Sequence, residues 1–358
     1  MPVEKILLQT GWHRFRKADA LKIFHESSIL ELAGLADEKR KEINPDSVVT
    51  YILDRNINYT NICSSGCRFC AFYAGVDSNE GYVLSEEELF SKISETLKSG
   101  GGQILMQGGL NPHLKIAYFE NLFKTIKKNF KIHIHALSPP EIIYLSKNEG
   151  RSVKEIIDRL IEAGLDSIPG GGAEILVDRV RHALSPQKCS AQEWLDVMRE
   201  AHQSGLKTTA TMMFGHIETI EERIDHLEKI RCLQDDTGGF TAFIPWTYQQ
   251  GRNTVEAGKC SSIEYLRMLA LCRIYLDNIP HIQVSWVTQG AKIAEVALSY
   301  GADDFGSSMM EENVVKAAGT DFRMNEKEMV ACIEAMGFIP KRRDMFYNIV
   351  GEPLCRQN

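Results

Sequence analysis

Short apolar runs alternate with amphipathic helical stretches eight times along the chain, and this alternation restricts the fold more than any other feature. The predicted strands are Val48–Leu53, Gln103–Gln107, Lys131–Leu137, Ser167–Pro169, Lys207–Phe214, Phe240–Pro245, Ile282–Val287 and Asp304–Ser307. Apolar spacing predicts helices at 86–99, 114–129, 152–163, 191–204, 220–234, 262–277, 289–300 and 311–318. Short links between strand and helix make the strands parallel. Eight units predict an α/β fold, a (β/α)8 TIM-type barrel, with a doubly wound open sheet as the other architecture the alternation permits. Helix starts carry the S/T-x-x-E pattern at Ser85/Glu88, Ser152/Glu155, Ser190/Glu193, Thr219/Glu222 and Ser261/Glu264, where hydroxyl and carboxylate satisfy unpaired backbone N–H groups. Gly100, Gly164, Gly205 and Gly301 follow helices as C-caps. The expected division is an N-terminal helical extension over 1–45, the barrel over 46–320 and a C-terminal extension over 321–358 packed on it.

At 358 residues the chain buries a sizeable core. A net charge of -7 argues against non-specific nucleic-acid binding. Lys341-Arg342-Arg343 is the one tight basic cluster near an end and is expected to be a solvated patch. Met1 to Trp12 has neither an apolar h-region nor a small-residue cleavage site, so no signal peptide is expected. No apolar run reaches the roughly 18 residues of a membrane span. The expected protein is soluble and cytoplasmic, with no membrane insertion.

Nine cysteines without a secretory signal do not read as a disulfide framework. Cys189, Cys232, Cys260, Cys272, Cys332 and Cys355 are widely scattered and expected to be small buried hydrophobes. Cys63, Cys67 and Cys70 form C-x3-C-x2-C on the loop after the first strand. Thiolates are the soft ligands of iron–sulfur clusters, and three of them wrap three irons of a cubane. The fourth iron is then left without a protein ligand, the open position that catalysis at a metal needs. Zinc wants a fourth ligand that no nearby His or Cys supplies at normal spacing. Cys67-x-x-Cys70 as a redox pair leaves Cys63 surplus, and a pure electron carrier normally brings four cysteines.

Barrel enzymes place their sites at the C-terminal ends of the strands. There the chain sets the cysteines, then Gly108-Gly109, then His133 and His135, then Gly170-Gly171-Gly172 with Glu174, then Gly215-His216, Trp246 and Thr288. Such a lined pocket favours an enzyme over a metal- or redox-binding scaffold.

The C-x3-C-x2-C run with Phe69 before its last cysteine resembles the signature of the radical S-adenosylmethionine (SAM) superfamily. The resemblance implies a [4Fe–4S] cluster on Cys63, Cys67 and Cys70, with SAM on the open iron. It implies that Phe69 packs beside the adenine and that Gln107-Gly108-Gly109-Leu110 meets the SAM amino group. The segments Asn56–Cys63 and Cys70-Ala-Phe resemble one branch, that of aminofutalosine synthases, cyclic dehypoxanthinyl futalosine synthases and F0-synthase subunits. Gly172-Ala-Glu-Ile-Leu, Lys207–His216, Phe243–Trp246, Ser285–Gly290 and Gly301–Asn313 are similar to the second of these families. The likeness covers about residues 45–320 and departs at Gln249-Gln250-Gly251-Arg252, where a Pro is expected after the first Gln.

That family implies dehypoxanthine futalosine as substrate, abstraction of the ribose C4′ hydrogen, and ring closure on the route to menaquinone. A flavodoxin or ferredoxin is the electron donor by analogy. A base must take the last proton. His135 and His216, imidazoles at strand ends, are candidates. Glu174 either contacts the SAM ribose or serves as base, and Tyr73 and Asp304 complete the candidates. The choice among them stays open.

Overall fold

The computed structural model describes residues 14–251, 255, 257, 258 and 260–351. Arg252 and Cys355 lie outside the described residues, as does the start of the N-terminal extension. The first predicted strand divides at Leu53 into β1 (Val48–Ile52) and β2 (Asp54–Ile57). Then follow β3 (Gln103–Met106), β4 (His133–Ala136), β5 (Ser167–Ile168), β6 (Lys207–Phe214), β7 (Phe240–Thr247), β8 (His281–Ile282) and β9 (Asp304–Ser307). Strands β2 to β8 pair in sequence order as one parallel sheet. Val284 N–H donates to the Asp304 carbonyl at 3.0 Å, and β9 pairs with β1. Because β1 runs directly into β2, this contact closes eight positions into a ring, the barrel that the alternation predicts.

The branched and aromatic run 282–287 reads as a strand, but only its first residue holds one. Ser285 N–H instead donates to the Tyr265 hydroxyl at 2.8 Å, and Trp286–Gln289 forms a helical turn. The helix expected at 311–318 is the single turn Val314–Ala317. Within the barrel, helices Pro139–Glu149 and Asp178–Leu184 escaped the apolar spacing, as Glu326–Ala335 did after it. The first was legible by other signs: Pro139 opens the helix and Ser138/Glu141 form its capping box. Four of the five predicted capping boxes close. The fifth does not, because the Glu264 carboxylate pairs with Arg223 at 2.7 Å instead of Ser261.

Helices Lys17–Glu26 and Ile29–Ile43 precede the barrel. After it, helix Glu326–Ala335 leads to β10 (Ile339–Arg342), which pairs with β1 outside the ring. The chain then turns under the barrel. Arg343, expected in a solvated patch, is buried with its Nε 2.5 Å from Asp304 Oδ2. A cation in the protein interior needs such a partner, and the carboxylate of β9 supplies it. Among the scattered cysteines Cys189, Cys272 and Cys332 are buried, Cys260 is half-buried, and Cys232 is exposed against expectation.

Candidate active site

The cysteine loop is fastened to the barrel rim by its backbone. Cys63 N–H donates to Ala74 O at 2.9 Å, Ser64 N–H to Leu110 O at 3.0 Å, and Arg68 N–H to Leu184 O at 2.8 Å. Cys63 Sγ accepts N–H groups from Leu110 at 3.3 Å and Ser65 at 3.4 Å, and Ser65 Oγ lies 3.2 Å from Cys67 Sγ. Donors aimed at sulfur favour thiolates and tune a cluster they ligate. Burial pushes the Cys63 and Cys70 thiols up, so iron binding there releases protons. Among the described residues no three His, Cys, Asp or Glu side chains converge on one metal ion. A cubane does not ask for that, since each thiolate takes its own iron. Three thiols on one wall, with N–H donors behind one of them, suit a cluster with one iron facing the cavity.

Glycine is required beside this loop for packing against protein. A β-carbon on Gly109 would stand 2.2 Å from Ile62 O and 2.8 Å from Cys63 Cβ, and one on Gly108 would stand 2.6 Å from the Tyr59 ring. The bare backbone thus lets the rim of β3 lie directly on the cysteine loop. Beneath it Glu141 gathers the wall: Tyr59 Oη donates at 2.6 Å, Gly108 N–H at 3.1 Å, Ser138 N–H at 2.7 Å and Ser138 Oγ at 2.5 Å. Burial raises the Glu141 carboxyl despite these donors.

One cavity of about 400 Å³ runs from the cysteines down the barrel. Its wall includes Cys63, Cys67, Cys70, Phe69, Tyr73, Gln107, Gly108, Gly109, His135 and Glu174. The structure therefore brings these predicted residues together. Glu174 has φ +42°, a strained value for a residue other than glycine. Its Oε1 accepts from Lys188 Nζ at 2.6 Å, and that ammonium lies 5.3 Å from the centre of the Phe69 ring. Burial opposes the Lys188 charge, but Cys67 and Glu174 outweigh it and raise its pKa. His135 Nδ1 is 2.7 Å from Ser167 Oγ, which also meets His133 Nε2 at 2.6 Å. Burial first, then the neighbouring His133 and Arg343, hold His135 well below its ordinary pKa and so neutral. Tyr73 sits at the mouth, 42% exposed.

His216 and Asp304 are not brought to this wall. The His216 side chain is fully buried, with Nε2 donating to Met213 O at 3.0 Å and Nδ1 2.7 Å from Glu218. Asp304 lies at the start of β9, bound by Arg343 and by Thr50 Oγ1 at 2.5 Å. Sequence reasoning missed Lys188, Glu141, Asn56 and Glu312, all on the pocket wall. Only Glu141 had a local signal, its place three residues after Ser138 in a capping box.

Residues 57–230 match the model of the radical SAM superfamily, and residues 237–355 match the CofH/MqnC C-terminal region. The chain is 41% identical over 339 residues to a cyclic dehypoxanthine futalosine synthase of Halalkalibacterium halodurans, covering 94% of this chain and 92% of that one. A protein of the same name from Streptomyces coelicolor is 42% identical, covering 93% and 85%. A 5-amino-6-(D-ribitylamino)uracil–L-tyrosine 4-hydroxyphenyl transferase of Archaeoglobus fulgidus is 40% identical, covering 89% and 94%. In fold, the FeFe-hydrogenase maturase HydG from Carboxydothermus hydrogenoformans superposes with a TM-score of 0.76 at 16% identity, covering 96% of this chain and 80% of that one. Methylornithine synthase gives 0.72 at 19%, covering 92% and 95%. With a thiol triad on the rim of a parallel barrel and relatives that match nearly its whole length, this chain belongs to the radical SAM superfamily, in the CofH/MqnC family of enzymes that use a [4Fe–4S] cluster and SAM.

Proposed function

We propose that the chain converts dehypoxanthine futalosine to cyclic dehypoxanthine futalosine on the futalosine route to menaquinone. The observation that carries this reading is a cavity lined both by the three thiols and by aromatic and hydroxyl-bearing residues. A reaction between SAM and a substrate held beside it needs both sets of residues in one water-poor space. The names of the two futalosine relatives support this choice of substrate.

In this reading Cys63, Cys67 and Cys70 hold the cluster, and Phe69, Gln107, Gly108, Gly109 and Glu174 line the place of SAM. Bound together, cluster and SAM supply reductive cleavage of the sulfonium and thereby abstraction of the ribose C4′ hydrogen. The protein orients the partners. Lys188 fixes the Glu174 carboxylate, and Glu141 clamps Gly108 so that the rim of β3 cannot drift from the cysteine loop. Trp246, Trp286 and Thr288, which line the same cavity, confine the aromatic substrate. A flavodoxin or ferredoxin as electron donor and the cytoplasm as location belong to the same proposal. Among the described residues no helix is long and apolar enough to cross a membrane.

A second reading has its own support, since 4-hydroxyphenyl transferases are 38–40% identical over most of the chain. Anaerobic reconstitution with iron and sulfide separates the two. Given SAM, dithionite and dehypoxanthine futalosine, the protein is expected to yield 5′-deoxyadenosine and a product lighter by two hydrogens. The Cys67→Ala variant is expected to yield neither. Turnover only with 5-amino-6-(D-ribitylamino)uracil plus L-tyrosine, or only with the enolpyruvyl-benzoate substrate of aminofutalosine synthase, would overturn the assignment.

A further inference from the structure

We propose that Glu312 is the catalytic residue that accepts the proton lost when the substrate's aromatic ring is restored, an inference that rests on the reading above. In the ring of eight strand positions, β5 and β9 stand opposite each other. Glu174 follows β5, on the side of Gly108-Gly109 and Gly170-Gly171-Gly172. Glu312 follows β9, on the side of Ser285, Trp286 and Thr288, and it lines the same cavity.

The other carboxylates of the wall are engaged. Glu174 is paired with Lys188, and Glu141 takes four donors. Asp54, on the floor, accepts from Gln103 at 3.0 Å and from Ser307. Glu312 has only neutral donors: Asn56 Nδ2 reaches Oε2 at 2.9 Å, Val315 N–H reaches Oε1 at 2.7 Å, and the Val314 N–H also points to the carboxylate. Three donors leave one acceptor position of the carboxylate free. The Oδ1 of that same Asn56, a residue 6% exposed, is buried without a partner on the cavity wall. This unpaired acceptor marks the spot as one where a bound molecule completes the hydrogen bonding.

Desolvation then acts in opposite directions on the two candidates that face the cavity. It disfavours charge, so it raises the proton affinity of Glu312 and lowers that of His135. The charged group that acts on Glu312 is Glu311, whose Oε2 is held by Lys92 at 2.6 Å and lies 4.0 Å from Arg55 Nε. The step balances. After C4′ has bonded to the ring, the attacked ring carbon still carries its hydrogen. That C–H bond breaks, and the proton goes to a Glu312 oxygen. Both bonding electrons stay in the ring, one electron leaves to a one-electron iron–sulfur acceptor, and aromaticity returns.

The test uses full-length protein and dehypoxanthine futalosine deuterated at C4′, comparing wild type, Glu312→Gln, Glu312→Asp and His135→Gln. Glu312→Gln is expected to keep its iron and to transfer deuterium into 5′-deoxyadenosine, while cyclic product per 5′-deoxyadenosine falls roughly 10²-fold or more. Glu312→Asp is expected to recover part of that ratio and replaces Glu312→Gln if the latter loses iron. Infrared titration of the cluster-free protein gives an independent readout: of the carboxyl bands that burial raises, which include Glu141 and Asp54, one is expected to be lost in Glu312→Gln while the others remain. Equal product ratios in wild type and Glu312→Gln, or the fall appearing in His135→Gln instead, overturn this inference alone. A wild type that makes no cyclic product overturns the substrate reading and this inference with it.

Discussion

Lys188 and Glu174 show how a residue can matter without any local mark. They are fourteen positions apart, and the pair forms only because helix Asp178–Leu184 turns the chain back over the pocket. Both side chains are mostly buried, so removing one partner leaves an uncompensated charge. Lys188→Met is therefore expected to cost about 3–5 kcal/mol, read from the denaturant midpoint. Restoring most of that loss with Lys188→Met/Glu174→Gln would identify the pair itself as the cause. Titration gives a second expectation. Burial, helped by Lys207 and Arg199, holds His202 down to about 4, below its ordinary 6.5. The folded state thus favours neutral His202, and its contribution is lost as pH falls from 6.5 towards 4. Burial alone would raise Glu218, but the bond and charge of His216, and then the charge of Arg223, bring it to about 2. That contribution is full above 4.5 and fades below it. Tm is expected to fall in two stages on acidification, the first made shallower in His202→Gln but not abolished, because buried His135 and His226 also resist protonation below pH 6.5. A level Tm from pH 6.5 to 5 would contradict the first stage.

At the scale of elements, the cysteine loop and the rim of β3 act as one unit. Leu110 N–H reaches Cys63 Sγ, Gly109 N–H reaches Thr60 O at 3.0 Å, and no room is left for a side chain at Gly109. In Gly109→Ala the new methyl meets Ile62 backbone, which cannot rotate away as a side chain would. The expected cost is about 1–3 kcal/mol, with a larger effect on the site than on the barrel. Iron retained after desalting should fall well below the wild-type level while far-UV dichroism stays unchanged. Full iron loading in this variant would show that the loop tolerates the shift. Helices illustrate what local chemistry can announce. Thr219/Glu222 and three Ser/Glu boxes start helices where their spacing says, since the bonds involved span only three residues. Helix Pro139–Glu149 follows the same rule, although its apolar spacing does not reveal it.

At the scale of the whole molecule, the C-terminal segment finishes the barrel. Strand β10 extends β1, and Arg343 enters the cavity floor to bind Asp304 under a Tyr347 ring 4.0 Å away. Arg343→Met is expected to cost about 3–5 kcal/mol because Asp304 is left buried and charged, and Arg343→Met/Asp304→Asn should regain part of it. Urea unfolding of the two variants checks this, and an unchanged midpoint in the single variant would refute it. The amino-acid sequence by itself determined the alternation of strands and helices, the barrel they imply, the starts of most helices and the thiol triad. All of these depend on neighbours a few residues apart, and period, capping and ligand spacing act at that range. Tertiary structure alone decided which polar residues share the cavity. It set His216 and Asp304 away from the wall, drew Arg343 out of a basic run into the interior, and brought Lys188, Asn56 and Glu312 to the site. Their positions follow from barrel closure, which joins β9 to β1 across some 250 residues. Burial and charge pairing over that separation leave no periodic trace in the chain.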